Sequence, residues 1–256
     1  MIRARKRFGQ HFLHDPKVIE RIVAAIDPRP GEALIEIGPG RGALTAPLLQ
    51  RAGELTAIKI DRDLASALQA RFGARLNLIV TDVLDVDFTT LRADRKPLRV
   101  IGNLPYNIST PLLFYLLAQR EAIFDMHFML QREVVERMVA APGSKAYGRL
   151  TVMLAPWVSV RSVLDVGAEA FRPAPKVTSA VVRITPLPGP AFPILSIERF
   201  ERIVRAAFSQ RRKTLRNALK GLVSEEQLRG LGIDSGLRPE RLEPQQFALI
   251  AASLDA

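Results

Sequence analysis

Apolar and polar positions change their period several times along the chain. Between Lys17 and Ile26 the apolar residues Val18, Ile19, Ile22, Val23 and Ile26 recur at helical spacing, and Asp15-Pro16 ahead of them supplies an N-cap and a proline at the first helical position. A helix is therefore expected before the first strand. From Ala33 short β-rich runs alternate with helical segments. Strands are expected at Ala33 to Ile37, Leu55 to Ile60, Leu76 to Val80, Leu98 to Ile101 and His127 to Leu130, and helices at Ala43 to Arg51, Asp63 to Ala70, Pro111 to Arg120 and Arg132 to Ala140. Alternation of this kind implies right-handed crossovers and a parallel sheet covered on both faces. Val160 to Val166 and Val177 to Ile184 carry strand composition with no convincing helix between them, which predicts an antiparallel finish and a mixed sheet.

Prolines 186, 188, 190 and 193 with Gly189 then break the pattern, and everything after Ser196 reads as helix and turn. The expected organisation is an α/β domain over 1–188 and a small all-helical domain over 189–256. Composition agrees with a folded chain: 48% of the 256 residues are hydrophobic and 25% charged, so there is material for a core and wholesale disorder is excluded. No run approaches the roughly 18 apolar residues of a membrane span, and the start of the chain lacks a signal-peptide pattern. A soluble, cytoplasmic protein is expected. The absence of cysteine excludes disulfides and thiolate metal sites, and His11, His14 and His127 are too scattered for a metal site, so none is expected. Charge changes the picture more. Lys plus Arg number 37 against 26 Asp plus Glu, a net charge of +11, which points to a polyanionic partner.

The first strand ends in Ile35-Glu36-Ile37-Gly38-Pro39-Gly40-Arg41-Gly42. Glycines at a strand-to-helix turn let backbone approach a ligand closely, and the amides of a helix start favour an electron-rich group. Nicotinamide, flavin and S-adenosylmethionine enzymes all use such a turn, and so does a plain tight turn with no ligand. The G-x-G-x-G spacing, with an acid two residues before it, favours S-adenosylmethionine, which has no pyrophosphate to cradle. An acid at the end of the second strand commonly grips ribose hydroxyls, and here that stretch reads Ala57-Ile58-Lys59-Ile60-Asp61. Asp82, after the third strand, stands where a carboxylate would accept from an adenine amino group, although alone it would read as a turn aspartate.

After the fourth strand comes Gly102-Asn103-Leu104-Pro105-Tyr106-Asn107-Ile108-Ser109-Thr110-Pro111. Adenine N6 is a poor nucleophile because its lone pair is delocalised into the ring. The Asn103 side-chain oxygen and a neighbouring backbone carbonyl, in the turn of Leu104 and Pro105, would accept from its N–H groups and favour a pyramidal nitrogen. Tyr106 would stack on the extruded base and hold it in line with the methyl donor. No strongly perturbed general base is needed, since the nitrogen can lose its proton after attack.

At this point the chain resembles the small-subunit (16S) ribosomal RNA adenine dimethyltransferases, the kasugamycin-sensitivity methyltransferase family. The resemblance rests on residues 5–13, 36–42, 103–109, 128–131, 145–150, 171–177 and 210–214, and so spans nearly the whole chain. It implies a Rossmann-like class I S-adenosylmethionine-dependent methyltransferase fold and methyl transfer to N6 of two adjacent adenosines in a hairpin near the 3′ end of small-subunit RNA. By the same resemblance His11 and Leu13 would line the cofactor entrance, Gly38 and Gly40 would contact the methionine part, Asp82 the adenine, and Asn103 both cofactor and target amine. Phe171 would form a second aromatic wall opposite Tyr106. One position departs from the family, whose members usually carry glutamate where this chain has Lys59. That glutamate is thought to hold the ribose hydroxyls; lysine cannot accept those hydrogen bonds and brings a second cation beside a sulfonium. Losing one partner of a charged hydrogen bond typically costs roughly 1.5 to 3 kcal/mol, so weakened cofactor binding is expected.

The cations cluster. Positions 3 to 7, with Arg5, Lys6 and Arg7, hold four, and Arg199 to Lys220 hold eight against the single acid Glu201. If Lys213 to Leu222 is one helix, Arg212, Arg216 and Lys220 form a stripe with Leu215, Leu219 and Leu222 facing inward. With Arg211 and Lys213 these are the expected RNA contacts. The partner expected is 16S rRNA in the small ribosomal subunit or its precursor, met by a monomer. The competing expectation is an RNA-binding assembly factor whose methyl transfer is impaired by Lys59.

Overall fold

A computed structural model describes residues 11–92, 96–105, 108–210 and 212–255. In chain order the strands and α-helices are β1 (Phe12–Leu13), α1 (Pro16–Ile26), β2 (Ala33–Ile37), α2 (Thr45–Ala52), β3 (Leu55–Ile58), α3 (Arg62–Phe72), β4 (Leu76–Ile79), β5 (Leu98–Asn103), α4 (Ser109–Ala118), β6 (Ile123–Gln131), α5 (Arg132–Met138), α6 (Arg149–Leu154), β7 (Val158–Val166), β8 (Phe171–Arg172), β9 (Ser179–Pro186), α7 (Ile197–Ala207), α8 (Leu215–Ala218), α9 (Glu225–Gly230) and α10 (Pro244–Ala252). They fall into two compact units, Met1–Val135 with Val160–Pro186, and Glu136–Ser159 with Leu187–Ala256.

The first unit is the α/β layer. Its sheet runs in the order β4-β3-β2-β5-β6-β9-β7, parallel from β4 to β6, with β9 antiparallel to β6. The mixed sheet expected from the sequence is present. Its strands are largely apolar because both faces are covered, and α1 to α3 contribute Ile22, Val23, Ile26, Leu48, Leu49 and Leu68 to one buried cluster with Leu34, Leu55, Ala57 and Ile101. Helix α1 starts where the sequence placed it: Asp15 caps it by accepting from the amides of Lys17 and Val18, and Pro16 follows.

At the end of the sheet where the parallel strands begin, a buried ionic cluster ties α1 to the strands. The Arg99 guanidinium on β5 makes two bonds to Asp125 on β6, at 2.9 and 3.0 Å, one to Glu32 at 2.8 Å, and donates to the carbonyls of Ile26 and Asp27 at the C-terminus of α1. It thereby satisfies helix-end carbonyls that lack intrahelical partners. Arg183 on β9 reaches Asp125 from the other side at 2.9 Å. A register shift between Leu98 and Arg99 places Asp125 opposite Arg99, with Phe124 as the extra residue of the bulge. Strand β6 therefore begins at Ile123, four residues before the expected start, because Asp125 breaks the apolar run without breaking the strand.

The second unit has a core of its own, built from Tyr147, Val152, Met153, Phe200, Ile203, Val204, Leu215, Leu219, Leu228, Leu242, Phe247 and Ile250. Two expectations are corrected here. The division at 188/189 falls close to the junction at Leu187, but 136–159 also belongs to this unit. Gly143 N–H donates to the Glu240 carbonyl and the Tyr147 hydroxyl to the Leu242 carbonyl at 2.7 Å, bonds between segments almost 100 residues apart that linear pattern does not register. The continuous helix over Lys213 to Leu222 is also not formed. Helix α8 covers only Leu215–Ala218, Arg212 precedes it with φ 71°, and Gly221 turns the chain at φ 82°. The amides of Leu215 and Arg216 donate instead to the carbonyls of Leu237 and Ser235. Burial of Leu215 and Leu219 with exposure of Arg212, Lys213, Arg216 and Lys220 survives without the helix.

Candidate cofactor and methyl-transfer site

Strand register determines which residues meet. Ile37 pairs with both Ile58 and Gly102, and Gly102 pairs with Phe128. The residues just beyond these pairs, Gly38, Lys59 and Asn103, therefore stand side by side at the carboxyl ends of β2, β3 and β5. The chain leaves β2 between two neighbours reached in opposite directions, the place where open α/β sheets bind ligands. A cavity of about 260 Å³ opens there, lined among others by His11, Phe12, Leu13, Glu36, Gly38, Gly40, Lys59, Asp82, Asn103, Leu104 and Pro105.

The glycine loop has the left-handed backbone its composition suggested, with φ 67° at Gly38 and 57° at Gly40. At Gly40 a Cβ would also stand 3.3 Å from the Phe12 ring, over which the Arg41 guanidinium lies at 4.6 Å. Phe12 and Leu13 of β1 pair with Arg172 and Phe171 of β8, which brings the segment after residue 10 onto the cavity. His11 Nδ1 donates to the Pro173 carbonyl at 2.8 Å, and the His11 carbonyl in turn accepts from Asn103 Nδ2 at 3.1 Å. The Asn103 amide is thus oriented by its nitrogen, which fixes the direction of its oxygen.

Asp82 lines the cavity and also accepts from the Leu84 amide at 3.0 Å, as a turn aspartate does. Asp61 caps α3 by accepting from the Leu64 amide. Leu104 is buried, so only its backbone is available for chemistry. Phe171, 2% exposed, belongs to the buried cluster with Leu13, with which it pairs, and is not among the residues that line the cavity. Tyr106, Arg5, Lys6, Arg7 and Arg211 lie outside the described residues.

Sequence reasoning passed over Glu36 as a site residue. It is buried on β2, lines the cavity and accepts from the Thr45 hydroxyl at 2.6 Å; burial pushes its carboxyl from the ordinary 4.5 up to about 7 despite that bond. The signal was present, since a carboxylate in an otherwise apolar parallel strand calls for explanation. The donor set fits S-adenosylmethionine at the glycine loop, at Glu36, at Asp82 and at Asn103. It does not fit at Lys59, an ammonium where ribose hydroxyls call for an acceptor.

Sheet order and cavity together define the chain as a class I S-adenosylmethionine-dependent methyltransferase in fold. A model of the ribosomal RNA adenine dimethylase family matches residues 1–256. The chain is 52% identical to ribosomal RNA small subunit methyltransferase A of Colwellia psychrerythraea, over 97% of this chain and 83% of that one, and 51% identical to the protein of the same name from Photobacterium profundum, over 99% and 94%. Among solved structures it is similar to a dimethyladenosine transferase from Plasmodium falciparum, with a TM-score of 0.80, 25% identity and coverage of 96% and 98%. The 23S rRNA methyltransferase ErmE follows at TM-score 0.72 and 27% identity, with 96% and 100% covered. The chain belongs to the ribosomal RNA adenine dimethylase family.

Proposed function

We infer that this chain dimethylates N6 of two adjacent adenosines in a hairpin near the 3′ end of 16S rRNA, in the small ribosomal subunit or its precursor, using S-adenosylmethionine. The observation that carries the reading is Asn103, held at the cavity by the His11 carbonyl with its oxygen left to accept from the target amine. When bound, S-adenosylmethionine supplies an electrophilic methyl group on a sulfonium. The chain's own residues do the rest. Gly38 and Gly40 admit the methionine end to the backbone, Glu36 offers a carboxyl to a cationic ligand, Asp82 accepts from the adenine amino group, and Asn103 with the Leu104 carbonyl draws the target N6 towards a pyramidal shape. Tyr106 and Pro105 would stack on or border the extruded base. No general base is required, because the nitrogen sheds its proton after the methyl bond has formed.

We place the reaction in the cytoplasm, during small-subunit assembly, with the protein acting as a monomer; no described helix is long and apolar enough to cross a membrane. The exposed Arg212, Lys213 and Arg216, with Arg5, Lys6, Arg7 and Arg211, serve as RNA contacts in this reading. The relatives are named methyltransferases, which disfavours a purely RNA-binding assembly factor. Incubation with labelled S-adenosylmethionine and unmethylated small subunits, followed by mapping of the label, tests the assignment. Label on two adjacent adenosines near the 3′ end is expected; label confined to large-subunit RNA, or none with tight subunit binding, would overturn it.

A further inference from the structure

One group in the cavity is left over by the reaction. Lys59 lines the cavity, is only 7% exposed, and makes no side-chain hydrogen bond or ion pair with any described residue. An ammonium is donor-only, so one that lines a cavity without a protein acceptor is free to donate to a ligand. Burial pulls its pKa below the ordinary 10.5, and the charge of Asp61 only partly opposes this. Asp61 is engaged in capping α3, Glu36 in the bond from Thr45, and Asp82 in the turn to Leu84. Among the described residues no carboxylate is within bonding distance of the Lys59 ammonium, and the cavity is open to an anion from a ligand.

Position says which part of a ligand that would be. Lys59 directly follows β3, the second strand of the parallel run, about 20 residues beyond the glycine loop, and its amide donates to the Ile79 carbonyl at 2.9 Å. In nucleotide-binding sheets of this kind an acid at that place takes a free ribose hydroxyl, whereas a cation takes a phosphate on the ribose. We propose that Lys59 forms an anion subsite that selects adenosine carrying a phosphate on the ribose 2′ or 3′ oxygen, a ligand that competes with the cofactor. The proposal rests on the reading that this cavity holds an adenosyl group.

Calorimetric titration of the full chain with adenosine, adenosine 2′-phosphate, adenosine 3′-phosphate, inorganic phosphate and S-adenosylhomocysteine tests it, repeated on Lys59→Gln and Lys59→Glu. One phosphoadenosine is expected to bind the unaltered chain at least about tenfold more tightly than adenosine, as a charge-assisted bond should provide. Both substitutions should abolish that advantage, and Lys59→Glu should tighten S-adenosylhomocysteine. If neither phosphoadenosine outbinds adenosine while S-adenosylhomocysteine binds, the proposal fails and the adenosyl site stands. Failure of every adenosine compound to bind the unaltered chain overturns both. Inorganic phosphate binding as tightly as the phosphoadenosines, or an advantage that persists in a folded Lys59→Gln, also overturns the assignment.

Discussion

At the scale of single residues, Glu36 and His127 make opposite demands on pH. Glu36 is held neutral by burial, its carboxyl raised from 4.5 to about 7. The unfolded chain ionises first, so the stability associated with its neutral form is fully present below about 4.5 and is lost as pH rises through about 7. His127 is also buried, and desolvation lowers its pKa from 6.5 to about 4, opposed by the charge of Asp125 and aided by those of Arg99, Arg183 and Arg161. Its contribution is present above 6.5 and is lost as pH falls through 4. Between 4.5 and 6.5 the two slopes oppose one another and partly cancel. Glu36→Gln removes one of them. Relative to the unaltered chain, the variant should gain stability progressively from pH 4.5 to pH 7.5, by as much as about 3 kcal/mol if its bond with Thr45 is kept. Urea denaturation across that range measures it, and parallel curves for the two proteins would show that Glu36 ionises normally. Glu36 illustrates what a sequence withholds: its presence in the strand was plain, but its depth was not. Lys59, by contrast, was legible as a misfit through the family resemblance, whose members usually carry glutamate at that place after the second strand.

At the scale of elements, the local signals were strong where one short stretch determines one structure. Asp15-Pro16 fixed the start of α1, and the glycine loop fixed the turn after β2, because caps and positive φ depend on a few neighbouring side chains. They were weak where distant segments compete. The apolar spacing of Lys213 to Leu222 suits a helix, yet backbone bonds to Ser235 and Leu237 shorten it to one turn. Phe171 sits in a segment matching the family, yet pairing with Leu13 buries its ring. The bulge in β6 is a third case, since only the partner strand reveals that Asp125 must face Arg99. That pair carries a prediction. Asp125 is completely buried between Arg99 and Arg183, and removing one partner of a buried ion pair leaves the others uncompensated. Asp125→Ala should cost about 3 to 5 kcal/mol of stability. Simultaneous replacement of Arg99, Asp125 and Arg183 by apolar residues of similar volume should cost less than the single change. Chemical denaturation of both variants checks this, and a single variant as stable as the unaltered chain would show the cluster to be idle.

For the whole molecule, the net charge of +11 is the property to be explained. The second unit carries +5 of it, 14 Lys and Arg against 9 Asp and Glu, on the smaller of the two units. Helix α7 buries Phe200, Ile203, Val204 and Ala207 and exposes Arg202 and Arg205, and the chain that follows exposes Arg212, Lys213, Arg216 and Lys220. A continuous helical stripe is therefore not what presents these cations; a helix and a turn rich in backbone bonds do so together. The distinction matters for a test. Phosphate contacts act through counterion release, so each one lost lowers the dependence of log affinity on log salt by roughly 0.7 to 0.9, with little dependence on RNA sequence. Arg212→Ala with Arg216→Ala in the full chain should weaken binding to small subunits and reduce that slope by about 1 to 2. Because both side chains are exposed and away from the buried Leu215 and Leu219, the thermal transition should move little. Binding measured at several salt concentrations separates this from a solvated surface: an unaltered slope would mean that these arginines do not meet phosphate and that the charge excess acts elsewhere on the molecule.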